Sequence, residues 1–197
     1  MILRRYLLSL ALALTSVGFA QAQTPAPQVK FTTSVGEFVI ELYPDKAPNT
    51  VENFLTYVRD GHYNGLIFHR VINNFMVQGG GYDARYMEKP TRPSIKHEGA
   101  EVKAKGGPTN TVGTIAMART NNPHSASSQF FINVNNNDFL NHSAPSGQGW
   151  GYVAFGKVVS GMEVVNKIKM TPTGAGGPFP SDVPQTQVVI QSASLVK

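Results

Sequence analysis

Apolar and polar positions alternate one for one across residues 38–43, with Phe38, Ile40 and Leu42 on one face and Val39 and Glu41 on the other. That is the period of a half-buried strand. Residues 29–33 precede it, with Ser34-Val35-Gly36-Glu37 between, so the stretch predicts a β-hairpin. Across 48–60 the spacing changes. Val51, Phe54, Leu55 and Val58 recur at three and four, Pro48 suits a first helical turn and Gly61 a C-terminal stop, which predicts a helix. A second, shorter helix is predicted over 162–169, after Gly161. Between residues 63 and 155, short apolar runs are separated by long loops of Gly, Asn, Pro and Ser. The runs at 67–72, 75–78, 114–117, 130–134 and 153–155 are strand candidates, and 188–196 predicts a closing strand. Residues 171–187 are rich in Pro and Gly and predict a surface excursion. Many strands with only two helices argue for a barrel or sandwich whose open ends the helices cover.

Composition limits how much of the 197-residue chain belongs to that fold. Arg4 and Arg5 precede an uncharged, mainly apolar run over 6–19, and Ala20-Gln21-Ala22 has the small-x-small pattern of a signal-peptidase site. Residues 1–22 are therefore expected to be a signal peptide, cut after Ala22. The competing reading is an uncleaved membrane anchor, but a spanning helix needs about 20 apolar residues and this run is shorter. No stable membrane insertion is expected after cleavage. The chain has no cysteine, which excludes a lipid anchor on an N-terminal cysteine, disulfides and thiol chemistry. Residues 23–28, with Pro25 and Pro27, read as a short disordered lead-in, and 29–197 as one domain. Loss of Arg4 and Arg5 lowers the formal net charge from +5 to +3. That excess is spread without a basic run, so neither nucleic acid nor anionic lipid is indicated as a partner.

The most informative stretch is Phe68-His69-Arg70-Val71-Ile72-Asn73-Asn74-Phe75-Met76-Val77-Gln78-Gly79-Gly80. It sets Arg70 and Gln78 eight residues apart with Phe75 and Met76 between them. On the paired strands of a hairpin, Arg70 and Gln78 can face the same groove. Gly79, Gly80 and Gly81 permit close backbone approach or positive φ. No GxGxxG is present and no lysine follows, so a phosphate-binding reading is discarded. Downstream, Ala116-Met117-Ala118-Arg119 is followed by a polar loop over 120–128 and then by Gln129-Phe130-Phe131-Ile132. Alternation sends Phe130 and Phe131 to opposite faces, one into the core and one toward a groove. His62, His97, His124 and His142 show no ligand spacing, so no metal and no cofactor is expected.

The two blocks, FHRVIxxFMxQGG and AMAR…SSQFFI, resemble the signature of the cyclophilin family. The similarity runs on through Phe155-Gly156-Lys157-Val158 and covers essentially everything after the leader. The signal peptide and Gly149-Trp150-Gly151-Tyr152 resemble its periplasmic bacterial branch. The resemblance implies a mainly β fold, an eight-stranded antiparallel closed β-barrel capped by two α-helices. It implies peptidyl-prolyl cis/trans isomerisation without covalent chemistry, with Arg70 and Gln78 as the catalytic pair. Arg70 would donate to the prolyl nitrogen, which becomes pyramidal as amide resonance is given up. Gln78 would bond the substrate backbone and help to hold Arg70. Phe75, Met76, Phe131 and Leu140 match the seat of the proline ring. Ala118 and Arg119 match a segment that binds peptide mainly through backbone groups, and Gln129 is placed with them on the substrate side. His69 matches a position beside the site, where a supporting hydrogen bond is its expected role. Phe139 stands where many eukaryotic members carry the Trp associated with cyclosporin binding, which implies weak sensitivity to that drug. Tyr152 stands where those members carry a His at the pocket rim.

The implied partners are Xaa-Pro-containing polypeptides, unfolded or partly folded exported proteins met in the periplasm. The alternative is a non-catalytic module or holdase that grips proline segments without turning them over. Such a module should lose Arg70 or Gln78, and both are present. Nothing resembles a coiled coil or an extended apolar face; a monomer is expected, and a weak dimer stays open.

Overall fold

The computed structural model describes residues 25–196. The signal peptide expected over 1–22 lies outside them, as do the first two residues of the lead-in. The strands are β1 (Gln28–Thr33), β2 (Gly36–Leu42), β3 (Leu66–Ile72), β4 (Met76–Asp83), β5 (Thr114–Met117), β6 (Phe130–Asn133), β7 (Ala154–Ser160), β8 (Thr173–Gly176), β9 (Phe179–Pro184) and β10 (Ile190–Leu195). The helices are α1 (Pro48–Arg59), α2 (Gly99–Ala104) and α3 (Met162–Lys169). Eight strands form one antiparallel sheet in the order β10-β1-β2-β7-β5-β6-β4-β3. Its two edges meet. The Gly65 N–H donates to the Ile190 carbonyl at 2.8 Å and the Phe68 N–H to the Val188 carbonyl at 3.0 Å. The expected eight-stranded barrel is therefore closed, and its edge strands are not left as templates for another chain.

Strand alternation fills the barrel. Val29 and Phe31 of β1, Phe38, Ile40 and Leu42 of β2, and Phe130 and Ile132 of β6 all turn inward and are buried. Phe31 and Phe38 are cross-strand partners whose rings stack at 5.1 Å. Helix α1 covers one end and buries Val51, Phe54, Leu55 and Val58, the residues its spacing predicted. Phe54 meets Phe130 edge-on at 5.9 Å and packs on Phe155 at 5.2 Å. Truncating such a buried aromatic costs about 3–5 kcal/mol.

Three features depart from the local reading. Gln28, expected in the lead-in, already pairs with Glu41, and the Pro27 carbonyl accepts the Leu42 N–H at 2.9 Å. A third helix, the six-residue α2, joins the two expected ones. The excursion over 171–187 contains a second, two-stranded sheet, β8 paired with β9. Val183 and Pro184 at its base are buried, and β9 lies alongside β3. It is therefore packed onto the barrel wall.

Helix α1 also depends on a distant residue. Its N-cap, Ala47, offers no side-chain acceptor. The buried carboxylate of Glu98 takes that place, accepting the Asn49 and Thr50 N–H groups at 3.1 and 2.7 Å and the Thr50 hydroxyl at 2.7 Å. An anion there satisfies orphan amides and complements the helix dipole.

Candidate active site

The groove lies on the outer wall of the barrel, over the side chains that β3, β4, β5 and β6 turn away from the core. A strict period of two would put Phe68, Arg70 and Ile72 on one face. The strand does not keep that period. Between the pairs Phe68–Gly79 and Arg70–Gln78, β3 holds one residue more than β4. This bulge turns Phe68 and Val71 inward, and both are buried in the barrel core. Arg70 turns out onto the wall. Bulges re-aim side chains in this way, often beside sites. Ile72 sits against the outer apolar cluster, not in the barrel.

Register then sets a row across four strands: Arg70 beside Gln78, Gln78 beside Phe131, Phe131 beside Ala116. Phe130 faces the core and Phe131 the outer cluster, the split that alternation predicts. Met76, Ala116, Phe131, Leu140 and Ala154 are buried in this cluster, flanked by Phe75, Ala118 and Tyr152. Above that apolar floor is a cavity of about 420 Å³. Its lining includes His69, Arg70, Phe75, Met76, Gln78, Ala118, Arg119, Gln129, Phe131, Leu140 and Tyr152, eleven of the twelve residues singled out from sequence. The exception is Phe139. The tight helical turn Asp138–Leu140 buries Leu140 and leaves Phe139 72% exposed. Phe139 stacks on Phe75 at 5.8 Å and lines an adjoining cavity instead.

The polar groups are held individually. Gln78 donates through Nε2 to Gln129 Oε1 at 3.0 Å. It makes no hydrogen bond to Arg70 among the described residues, so the expectation that Gln78 holds Arg70 is replaced by cross-strand adjacency. The glycines make this possible. A Cβ at Gly80, whose φ is +87°, would lie 2.9 Å from the Ser128 carbonyl. One at Gly81 would lie 2.7 Å from the Gln129 amide. Arg119 donates Nε to the Gly151 carbonyl at 2.8 Å and lies over the Tyr152 ring at 4.6 Å. Tyr152 in turn meets Phe131 edge-on at 5.5 Å. His97 lies under the same loop, with Nε2 3.3 Å from the Gly151 carbonyl. Burial holds its pKa down to about 4.

His69 is held mainly by packing. The ring is buried and its Nδ1 has no partner among the described residues. It is fixed by rings: Tyr82 at 4.7 Å and Phe179 at 5.6 Å. Burial, and secondarily the Arg70 charge, push its pKa down to about 4.

Two sets of residues escaped the sequence reading. Tyr82, Phe179, Pro180, Ser181 and Asp182 complete the cavity wall. Tyr82 was traceable, four residues beyond Gln78 in one strand; the other four belong to the β8–β9 hairpin and carry no periodic signal. The second set is a buried asparagine chain behind the floor. Asn137 donates to the Phe75 carbonyl at 2.8 Å and to Asn133 at 2.7 Å. Asn133 donates to Asn110 at 3.2 Å, and Asn110 to the carbonyls of Leu140 and Tyr152 at 3.2 and 3.1 Å. Three lining residues are thus pinned by their backbones. Among the described residues, no three His, Asp or Glu side chains converge as a metal site.

Comparison with known proteins gives this architecture a family. Residues 28–195 match the family described as cyclophilin type peptidyl-prolyl cis-trans isomerase. The chain belongs to this family and is a peptidyl-prolyl cis-trans isomerase. It is 54% identical over 167 residues to peptidyl-prolyl cis-trans isomerase B of Escherichia coli, covering 85% of this chain and 98% of that one. It is 48% identical over 186 residues to peptidyl-prolyl cis-trans isomerase A of Dickeya dadantii, covering 94% and 93%. A crystal structure of a Cryptosporidium parvum cyclophilin type isomerase shares the fold, with a TM-score of 0.69 at 23% identity over 87% of this chain and 98% of the other.

Proposed function

We propose that the groove binds Xaa-Pro segments of exported polypeptides and accelerates their cis/trans rotation, with Arg70 as the group that stabilises the twisted amide. The observation that carries this reading is the register pair Arg70–Gln78, set beside an apolar floor of Met76, Phe131 and Leu140. Rotation about the amide faces a barrier of about 18–20 kcal/mol. A turnover of about 10³ per second corresponds to about 13–14 kcal/mol, so the site must supply about 5–6 kcal/mol. One aimed donor in a sheltered site is worth about 3–4 kcal/mol. Seating the proline ring and holding the backbone supply the remainder.

The division of labour follows from position. Met76, Phe131 and Leu140 seat the proline ring. Arg70 donates to the prolyl nitrogen as its lone pair reappears. Gln78, already engaged with Gln129, offers its remaining capacity to the substrate backbone. Ala118 and Arg119 run along the opposite wall, with Tyr152 at the rim. The expected leader over 1–22 supports a periplasmic setting and unfolded or partly folded exported proteins as substrates; the enzyme is proposed to act as a monomer. Among the described residues no helix is long and apolar enough to cross a membrane.

The test is a protease-coupled isomerisation assay on a short Ala-Pro peptide, comparing wild type with Arg70→Ala. A loss of about 10²–10³ in kcat/KM is expected, with an unchanged melting temperature because Arg70 is exposed. Equal activity would sink the mechanism. Peptide binding without turnover in the wild type would favour a binding module.

A further inference from the structure

We infer that Asp182, on the β8–β9 hairpin, is a positioning residue for Arg70; the inference rests on Arg70 being the acting group. Asp182 Oδ2 lies 3.8 Å from Arg70 Nε, and both side chains face the cavity. The approach is to Nε, the stem side of the guanidinium. No hydrogen bond from a described residue engages Arg70 Nη1 or Nη2, the ends that would reach a bound proline. A carboxylate placed there narrows the rotamers of a long side chain and leaves its working end uncommitted.

Backbone geometry singles out the carboxylate. Asp182 has φ +66°, one of three non-glycine residues with positive φ among those described. That conformation suits glycine and asparagine at least as well, so the backbone at this point of β9 does not call for a negative charge. The hairpin is also anchored at the right depth. Phe179, three residues earlier, packs edge-on against Tyr82 at 5.1 Å and over His69 at 5.6 Å, while Val183 next to Asp182 is buried. Asp182 therefore sits between a ring fixed to β3 and β4 and a buried valine, on a strand that lies alongside β3.

The test uses Asp182→Asn and Asp182→Gly, which keep the left-handed backbone and remove the charge. The expected result is a fall in kcat of about two- to fivefold, the range open to an exposed ion pair, with KM and melting temperature unchanged. Raising the salt concentration should lower wild-type kcat toward that of the variants and leave the variants flat, because the exposed pair is screened. A purely structural role would not produce that salt response. In an Arg70→Ala background, Asp182→Asn should have no further effect. Wild-type kcat in both single variants, beside a crippled Arg70→Ala, overturns the Asp182 inference alone. Wild-type kcat in Arg70→Ala overturns the reading of Arg70 and this inference with it. An independent loss in the double variant also overturns it, as does a melting temperature that falls in step with kcat.

Discussion

Two hairpins meet at the groove, and they are built in opposite ways. The β3–β4 hairpin is part of the barrel: its inner face is Leu66, Phe68, Val71 and Val77, all buried, and its outer face carries Arg70, Met76 and Gln78. The β8–β9 hairpin has no core of its own. It is only partly buried and is fastened through Val183, Pro184 and the ring of Phe179. The first hairpin holds its functional groups by packing on both faces. The second reaches the site by lying against the first, with His69 and Tyr82 as the contact. The difference teaches that one wall of the groove is rigid by construction and the other is rigid only by attachment.

Acid should produce the largest effect on that attachment. His69 holds a pKa of about 4 in the fold, against an ordinary value near 6.5. Between those values the unfolded chain binds a proton that the native state refuses, so stability rises with pH across that window. It is fully present above about pH 6.5 and is lost as the pH falls to about 4, a change on the order of 3 kcal/mol for this residue. His97 carries the same sign. Urea unfolding at pH 7, 5.5 and 4.5 measures the slope, and His69→Leu should make it shallower. An unaltered slope in that variant would mean that His69 is not sealed beneath Phe179.

A smaller effect tests the rigid wall. Gly81→Ala would push a methyl to 2.7 Å from the Gln129 amide. That amide is the end of a flexible side chain, so it should move and release Gln78. An activity loss worth about 1 kcal/mol is expected, the value of one hydrogen bond, with little change in stability. Full activity would show that Gln78 needs no support from Gln129.

An effect no larger than that concerns the Phe179 ring over His69. Phe179→Ala removes the edge-on contact with Tyr82 and the cover over His69, at a cost of about 1 kcal/mol. It should also raise the His69 pKa toward its ordinary value, which NMR titration of the ring would report directly. A shifted His69 resonance with unchanged stability would separate cover from anchorage and sharpen the contrast between the hairpins.

Much of this was legible in the residues and some of it was not. The one-for-one alternation of residues 38–43, the three-and-four spacing in α1 and the run 162–169 are local patterns, and the structure returns β2, α1 and α3 where they point. The blocks around Arg70 and Phe131 brought the lining residues together because register is a consequence of which face must be buried. Phe139 lines the adjoining cavity and not the main one because a single tight turn decides which of two adjacent apolar residues faces inward. The cover over His69 was not legible because it comes from Phe179, 110 positions along the chain.

By itself, the order of residues determined the strands of the large sheet, the two longer helices, a barrel or sandwich architecture and the Arg70–Gln78 pair with its apolar floor. Those depend on periodicities over a few residues and on a motif whose parts are neighbours in one hairpin. Only the tertiary structure decided the bulge that turns Arg70 outward, the capping of α1 by Glu98, the asparagine chain behind the floor and the approach of Asp182 to Arg70. Each of these joins groups from separate segments, or rests on which residues pair across strands. No periodicity encodes such meetings; they exist once barrel closure has brought the segments within hydrogen-bonding reach.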